Sequence, residues 1–385
     1  MSKKIAVFCD GTWNQASVAR TNVVKLFQAT QHYDMENPPN PQIAHYLKGV
    51  GTRREEWLRG GAFGYGISDK IKEGYSFIVS NFEQGDKIYL FGFSRGAYTA
   101  RSIAGLIRNV GILRREQMHL IDDAYEYYRN KTPGWAPDGA QAIAFRNMYS
   151  HLDKSIEFIG VWDTVGALGA PYGQITGWIV DKIFNCSFHD DKLSSWVKSA
   201  YHALAADEKR WPFRPTRWTL NEGHLRSNQE AEQSGKIPNY EEKWFPGVHS
   251  DVGGGYDETG LSDIALEWMA FRASRHGLNI DLQILNNSEA GPDFKPDISA
   301  QPHDSQTWYY RWLTKINLVW PSKIPLFKEY LIPKSIRHLV DYIAPNGDYH
   351  RPIGEMDDAT TLDQKIAVDQ SYEHDNLPDV GRTSI

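Results

Sequence analysis

The chain has 385 residues, 41% of them hydrophobic and 23% charged, a balance that suits a soluble globular protein of one large domain or two. Its formal net charge of −6, with no lysine or arginine block, argues against a nucleic-acid partner. Two cysteines, Cys9 and Cys186, form no C-x-x-C pair, so neither a disulfide framework nor a structural zinc site is supported, and no stretch approaches the length of an apolar membrane span.

Met1-Ser2-Lys3-Lys4 and the apolar run behind it have the outline of a signal peptide. The run is too short and stops at Asp10-Gly11-Thr12, so residues 4–9 are expected as a first buried strand. Ser17 to Gln31 carries Val23, Val24, Leu26 and Phe27 at helical spacing, and Ile43–Leu47 reads as a second strand. The glycine-rich stretch Gly60–Gly66 is expected as a loop and Ser68–Glu83 as a helix leading into an apolar strand from Lys87. Residues 113–150 look helical and polar. Ile156–Trp162 is the next strand, residues 170–200 make an aromatic insertion, and Ser199–Glu208 reads as a helix. Glu242–Val248 is the last strong strand and Leu261–Arg272 a convincing helix. Residues 275–345 are irregular and aromatic, and everything beyond about Met356 reads as a loose polar tail. The alternation predicts an α/β fold, a mostly parallel sheet with helices on both faces. We expect one domain over residues 1–355, with 110–150, 170–200 and 275–345 as insertions or a lid-like layer, and a tail over 356–385.

The organising stretch is Gly92-Phe93-Ser94-Arg95-Gly96, a G-x-S-x-G match with an apolar strand before it and a helix after it, where Ala97, Ala100, Ile103, Ala104 and Ile107 recur at helical spacing. A serine on so tight a turn adopts a strained backbone, and the glycines let strand and helix approach without Cβ clashes. The hydroxyl is lifted above the sheet edge at a helix N-terminus, where free N–H groups favour developing negative charge. Such a serine needs a base, and the base needs a carboxylate to fix its tautomer. The chain offers Ser94, Asp163 and His249 in that order, each directly after a predicted strand, so parallel strands would bring all three to one sheet edge. His202 competes with His249 as base, and Asp207 and Asp251 are alternative acids. The oxyanion hole is expected from the N–H groups of Arg95 and of Thr12 in the Gly11-Thr12 loop, and no cofactor or metal is required.

Two other enzyme readings are open to these residues. Phe8-Cys9-Asp10-Gly11-Thr12 resembles the D-x-D-G-T signature of haloacid-dehalogenase-like phosphatases, but the nucleophilic aspartate would fall on Phe8. A metal-dependent phosphoesterase built on Asp10, Asp163, His249 and Asp251 has suitable hard oxygen ligands and no spacing motif.

Taken together, five segments resemble the catalytic domain of the type VI secretion lipase effectors, family one. They are Phe8–Asn14, Gly92–Arg101, Gly160–Gly166, His202–Glu208 and Trp244–Gly255, in the same order over roughly residues 5–270. The resemblance implies an α/β-hydrolase cleaving carboxylic ester bonds, in the best-known members those of phospholipids. It carries a catalytic role onto Ser94 and His249, and onto Asp163 as the acid. A lipid or small ester would be the substrate, with transient contact to a membrane surface. The chain would be cytoplasmic or exported by a signal-peptide-independent type VI route, with an immunity protein as partner if it is a secreted effector. Secreted members often carry a large additional module, for which this chain has little room. Small-ester hydrolysis without membrane action is the alternative within the fold. Trp308, Tyr309, Tyr310, Trp312 and Trp320 suit either a lid at the lipid–water interface or an accessory layer packed on the sheet.

Overall fold

In a computed structural model of the chain, residues 2–11, 20–30, 41–49, 62–153, 155–165, 193–210, 213–287, 294–305, 358 and 360–369 are described. Thr12, Cys186, most of the 170–200 insertion and the aromatic stretch 306–345 lie outside them. The described strands are β1 (Lys4–Cys9), β2 (Gln42–Leu47), β3 (Lys87–Phe93), β4 (Phe158–Trp162), β5 (Ala200–Ala205) and β6 (Tyr240–Phe245). They form a single sheet in the order β2-β1-β3-β4-β5-β6. Every pairing is parallel.

A parallel sheet needs both faces covered, which is why its strands are nearly continuous apolar runs. Side chains of β1 divide between two cores: Ile5, Val7 and Cys9 enter one, Ala6 and Phe8 the other. In β3, Ile88 and Leu90 join the first, and Tyr89, Phe91 and Phe93 the second. The first core is roofed by α2 (Ala62–Asn81) and α3 (Arg95–Val110), with α4 (Ile121–Arg129) and α5 (Ala140–Tyr149) packed beyond them. Those last two lie within residues 113–150, the stretch expected to be helical. The second core lies beneath α1 (Asn22–Ala29) and the later helix α8 (Gly260–Arg275). On that face the rings of Phe8, Phe91, Phe158 and Tyr201 form a ladder, with neighbouring centroids 4.8, 5.4 and 5.3 Å apart. A buried ion pair, Lys25 Nζ to Asp263 Oδ1 at 2.6 Å, ties α1 to α8. Burial lowers the Lys25 pKa, against the pull of Asp263.

Between the strands and α8 lie α6 (Glu222–Gln233) and the short α7 (His249–Gly253). Asn221 caps α6 by accepting the His224 N–H at 3.0 Å. Asn22 donates to the carbonyls of Val252 and Ser262 at 2.9 and 2.8 Å, so α1 holds both α7 and α8 against the sheet.

Three expectations are corrected. Residues 199–208 are not a helix: Ala200–Ala205 is the strand β5 between β4 and β6, all six residues buried. The glycine-rich stretch 60–66 is not wholly a loop, because α2 begins at Ala62. The tail is not loose throughout. Thr360–Val368 forms a helix, α9, whose Leu362 is buried with Leu204, Ala206 and Trp244. The chain just before it lies along β6, with Trp244 N donating to Asp358 O at 2.9 Å. The buried Lys365 ammonium donates to the carbonyls of Ser299 and Ala300 and to Asp369. No helix among the described residues is long and apolar enough to cross a membrane.

Candidate active site

The strand order reverses beside β1: β2 follows it on one side and β3 on the other. The crevice between the C-terminal ends of β1 and β3 is therefore the topological switch point, where α/β sheets bind ligands. Ser94 stands there, between β3 and α3, with φ 57° and ψ −122°. An L-residue rarely adopts that backbone, and the surroundings enforce it. A Cβ on Gly92 would lie 2.6 Å from Ala97 N, and one on Gly96 would lie 2.6 Å from the carbonyl carbon of Asp10. Only glycine at those two places lets β3 turn so sharply into α3 and lets α3 settle on the end of β1. The Ser94 N–H continues the sheet ladder, donating to Trp162 O at 3.0 Å. Ser94 is buried but for 6% of its surface.

Asp163 follows β4, adjacent to β3 in the sheet, also with positive φ, 39°. Its N–H donates to Ala203 O at 2.7 Å, its Oδ1 accepts the Ala205 N–H at 3.1 Å, and its Oδ2 lies 2.5 Å from His249 Nδ1. Asp163 is fully buried, and His249 is 5% exposed at the start of α7. Burial pushes the His249 pKa below its ordinary value, while the Asp163 hydrogen bond pulls the other way. The imidazole is gripped by rings: Phe93, next to Ser94, lies 4.6 Å away and Phe213 4.9 Å. Gly253 packs against the Phe93 ring, where any Cβ would overlap it. The His249 N–H donates to Glu208 at 3.3 Å. Glu208 in turn takes the Arg210 side chain through both oxygens and the Ser305 hydroxyl at 3.0 Å.

The alternative residues are engaged elsewhere. Asp207 accepts the Gly247 N–H at 2.5 Å. Asp251 accepts the Val248 N–H at 2.9 Å and meets His303 Nδ1 at 2.6 Å. His202 is fully buried on β5, facing Glu242. Asp10 is buried and accepts from Gly11 N, the Thr21 hydroxyl and the Tyr46 hydroxyl at 2.7, 2.9 and 2.6 Å. Among the described residues, no three His, Cys, Asp or Glu side chains gather as a metal ion would require. Arg95 opens α3, where N–H groups lack intrahelical partners, and it lines a small cleft with Asp10, Lys48 and Thr99. Glu208, Phe213 and Glu242 went unassigned in the sequence. For Glu242 the available signal is a run of charged residues, Glu241, Glu242 and Lys243, between the aromatic ends of a strand.

A parallel α/β sheet with its serine on a strained strand–helix turn, and a buried Asp–His pair brought to the same edge, defines an α/β-hydrolase-like protein. The chain belongs to the family described as "T6SS, Phospholipase effector Tle1-like, catalytic domain", which it matches over residues 3–272. An uncharacterized protein of Saccharomyces cerevisiae is 29% identical over 234 residues, 55% of this chain and 32% of the yeast protein. The chain thus spans about a third of the length of that curated relative. An uncharacterized protein from Pseudomonas aeruginosa, of known crystal structure, is 17% identical with a TM-score of 0.43, covering 95% of this chain and 62% of the other. The Tle1 effector, solved bound to the VgrG spike of the type 6 secretion system, is 19% identical with a TM-score of 0.33, covering 66% and 51%. A thermophilic esterase from Thermogutta terrifontis is 12% identical with a TM-score of 0.37, covering 72% and 82%.

Proposed function

We propose that the chain is a serine ester hydrolase with phospholipid as its leading substrate class. The observation that carries this reading is the Asp163–His249 hydrogen bond of 2.5 Å, made at the sheet edge where Ser94 sits at φ 57°. In this reading the Ser94 hydroxyl attacks the ester carbonyl and His249 takes its proton through Nε2, since Nδ1 faces Asp163. Asp163 keeps that tautomer and stabilises the imidazolium. The Arg95 N–H, with that of Thr12, holds the oxyanion, and His249 returns its proton to the leaving alcohol. Water then repeats the cycle on the acyl-enzyme. A depressed His249 pKa suits the role, because the ring is neutral and able to accept a proton at neutral pH. Membership of a phospholipase-effector family supports the lipid substrate, and on the same ground we propose export by a type VI route and an immunity protein as partner.

The test compares the wild type with Ser94→Ala on a short-chain aryl ester and on phospholipid vesicles, with and without EDTA. Loss of both activities in the variant, with EDTA harmless to the wild type, is the expected outcome. Ester cleavage without vesicle cleavage would retain the mechanism and discard the lipid. Activity that survives Ser94→Ala would end the serine reading.

A further inference from the structure

A second carboxylate–histidine pair joins β5 to β6, its histidine fully buried, and the steps above do not use it. His202 stands on β5, in register with Val161 on β4 and Glu242 on β6. Its Nδ1 lies 3.0 Å from Glu242 Oε1, and its Nε2 accepts the Thr164 N–H at 3.1 Å. A backbone amide only donates, so Nε2 must present a lone pair, and the single ring proton sits on Nδ1 where Glu242 accepts it. Glu242 is itself fixed. The Trp218 N–H donates to Oε1 at 3.0 Å and Arg217 Nε to Oε2 at 2.8 Å. Burial lowers the His202 pKa, so the ring is neutral. The charged groups facing it are Glu242, Arg101 and Asp163, and the Trp218 ring packs 5.2 Å away.

Thr164 directly follows Asp163 in the positive-φ turn. Besides the two bonds of the carboxylate, backbone groups of that turn are tied through Asp163 N to Ala203 O, Thr164 N to His202, and Thr216 N to Thr164 O at 2.8 Å. The middle one anchors the peptide that directly follows Asp163, on the turn that carries the carboxylate.

We propose that His202 is a positioning residue: its neutral ring, locked in one tautomer by Glu242, holds the Asp163 turn so that the carboxylate meets His249. The inference rests on the serine-hydrolase reading, and its test separates the two. Wild type, His202→Leu and His202→Gln are compared for aryl-ester kcat and KM, for the rate of Ser94 labelling by a fluorophosphonate, and for melting temperature. Leucine fills the volume without an acceptor, and should lower kcat about 100-fold with KM changed less than about threefold. Glutamine returns an amide oxygen near the Nε2 position, and should restore kcat to within about tenfold of wild type although both variants lose melting temperature. A leucine variant with wild-type kcat, or a glutamine variant no faster than leucine, would overturn the inference. If the leucine variant does not fold, wild-type nitrogen-15 spectra decide. At neutral pH His202 should be the Nδ1–H tautomer, and an Nε2–H form would refute the role. Wild type that fails to label at Ser94 would remove the hydrolase reading and this inference with it. Wild type that labels normally beside an equally fast leucine variant would remove the inference alone.

Discussion

Replacing Asp163 by asparagine changes one atom of the carboxylate and none of its volume, so the effect can be worked out from two hydrogen bonds. Oδ1 accepts the Ala205 N–H at 3.1 Å and Oδ2 takes the His249 Nδ1 proton at 2.5 Å. An amide has one oxygen and one NH2. If its oxygen faces His249, the NH2 opposes the Ala205 N–H in a site with no solvent contact, which costs about 1–3 kcal/mol. If its oxygen stays on Ala205, the NH2 faces Nδ1 and drives the histidine proton onto Nε2. The second arrangement wins, and it leaves His249 without a lone pair for the Ser94 proton. The imidazolium formed during the reaction also loses its counter-charge. Together these should lower kcat about ten-thousandfold, about 5 kcal/mol of barrier, with KM little changed. The assay is aryl-ester turnover under saturating substrate, with a melting curve to establish that the variant is folded. A folded variant within about tenfold of wild type would show that Asp163 is not the acid, and Asp207 would be tested next.

Ser94→Gly should abolish activity while raising stability. Relief of φ 57° is worth about 1–3 kcal/mol, against about 0.5–1 kcal/mol of added chain entropy in the unfolded state, and a lower urea midpoint would contradict this. Leu362→Ala should cost about 2–3 kcal/mol, because α9 is anchored by that side chain against Leu204 and Trp244; limited proteolysis should then remove the C-terminal segment first, and unchanged resistance would refute the anchor. Stability should fall with acidification below about pH 6.5. Burial holds His202 and His249 beneath the ordinary histidine value of 6.5, so below that pH the unfolded chain binds more protons than the folded one, and stability rises with pH across the window. Below the folded-state values the dependence levels off. A urea midpoint at pH 5.5 equal to or above that at pH 7.5 would refute the sign.

Local constraints explain what could be read from the residues alone. The elbow is legible because steric limits act over five residues: Gly92 and Gly96 have no room for a side chain, and an apolar strand and a small-residue helix flank them. The end of β4 is legible for the same reason, since Asp163 directly follows a buried apolar run. Residues 199–208 show where local reading fails. Ala-Tyr-His-Ala-Leu-Ala favours a helix by intrinsic preference, yet parallel neighbours on both sides offer its backbone ladder hydrogen bonds, and that pairing prevails. The tail fails differently. Among the described residues, Leu362, Thr361 and the buried Lys365 dock Thr360–Val368, a signal too sparse for any periodicity to reveal.

The sequence by itself determined the α/β class, the strained serine and the histidine that follows the last strand, because each depends on neighbours within a few positions. Only the tertiary structure decided which aspartate meets that histidine. Asp163, Asp207 and Asp251 all follow strands or turns, and their roles separate by what stands opposite each: His249 Nδ1 for the first, the Gly247 N–H for the second, and the Val248 N–H with His303 for the third. The same holds for His202, whose partners Thr164 and Glu242 lie 38 and 40 residues away and meet it only through strand register. Hydrogen bonds act over about 3 Å, and distances of that size between remote residues exist only once the sheet has assembled.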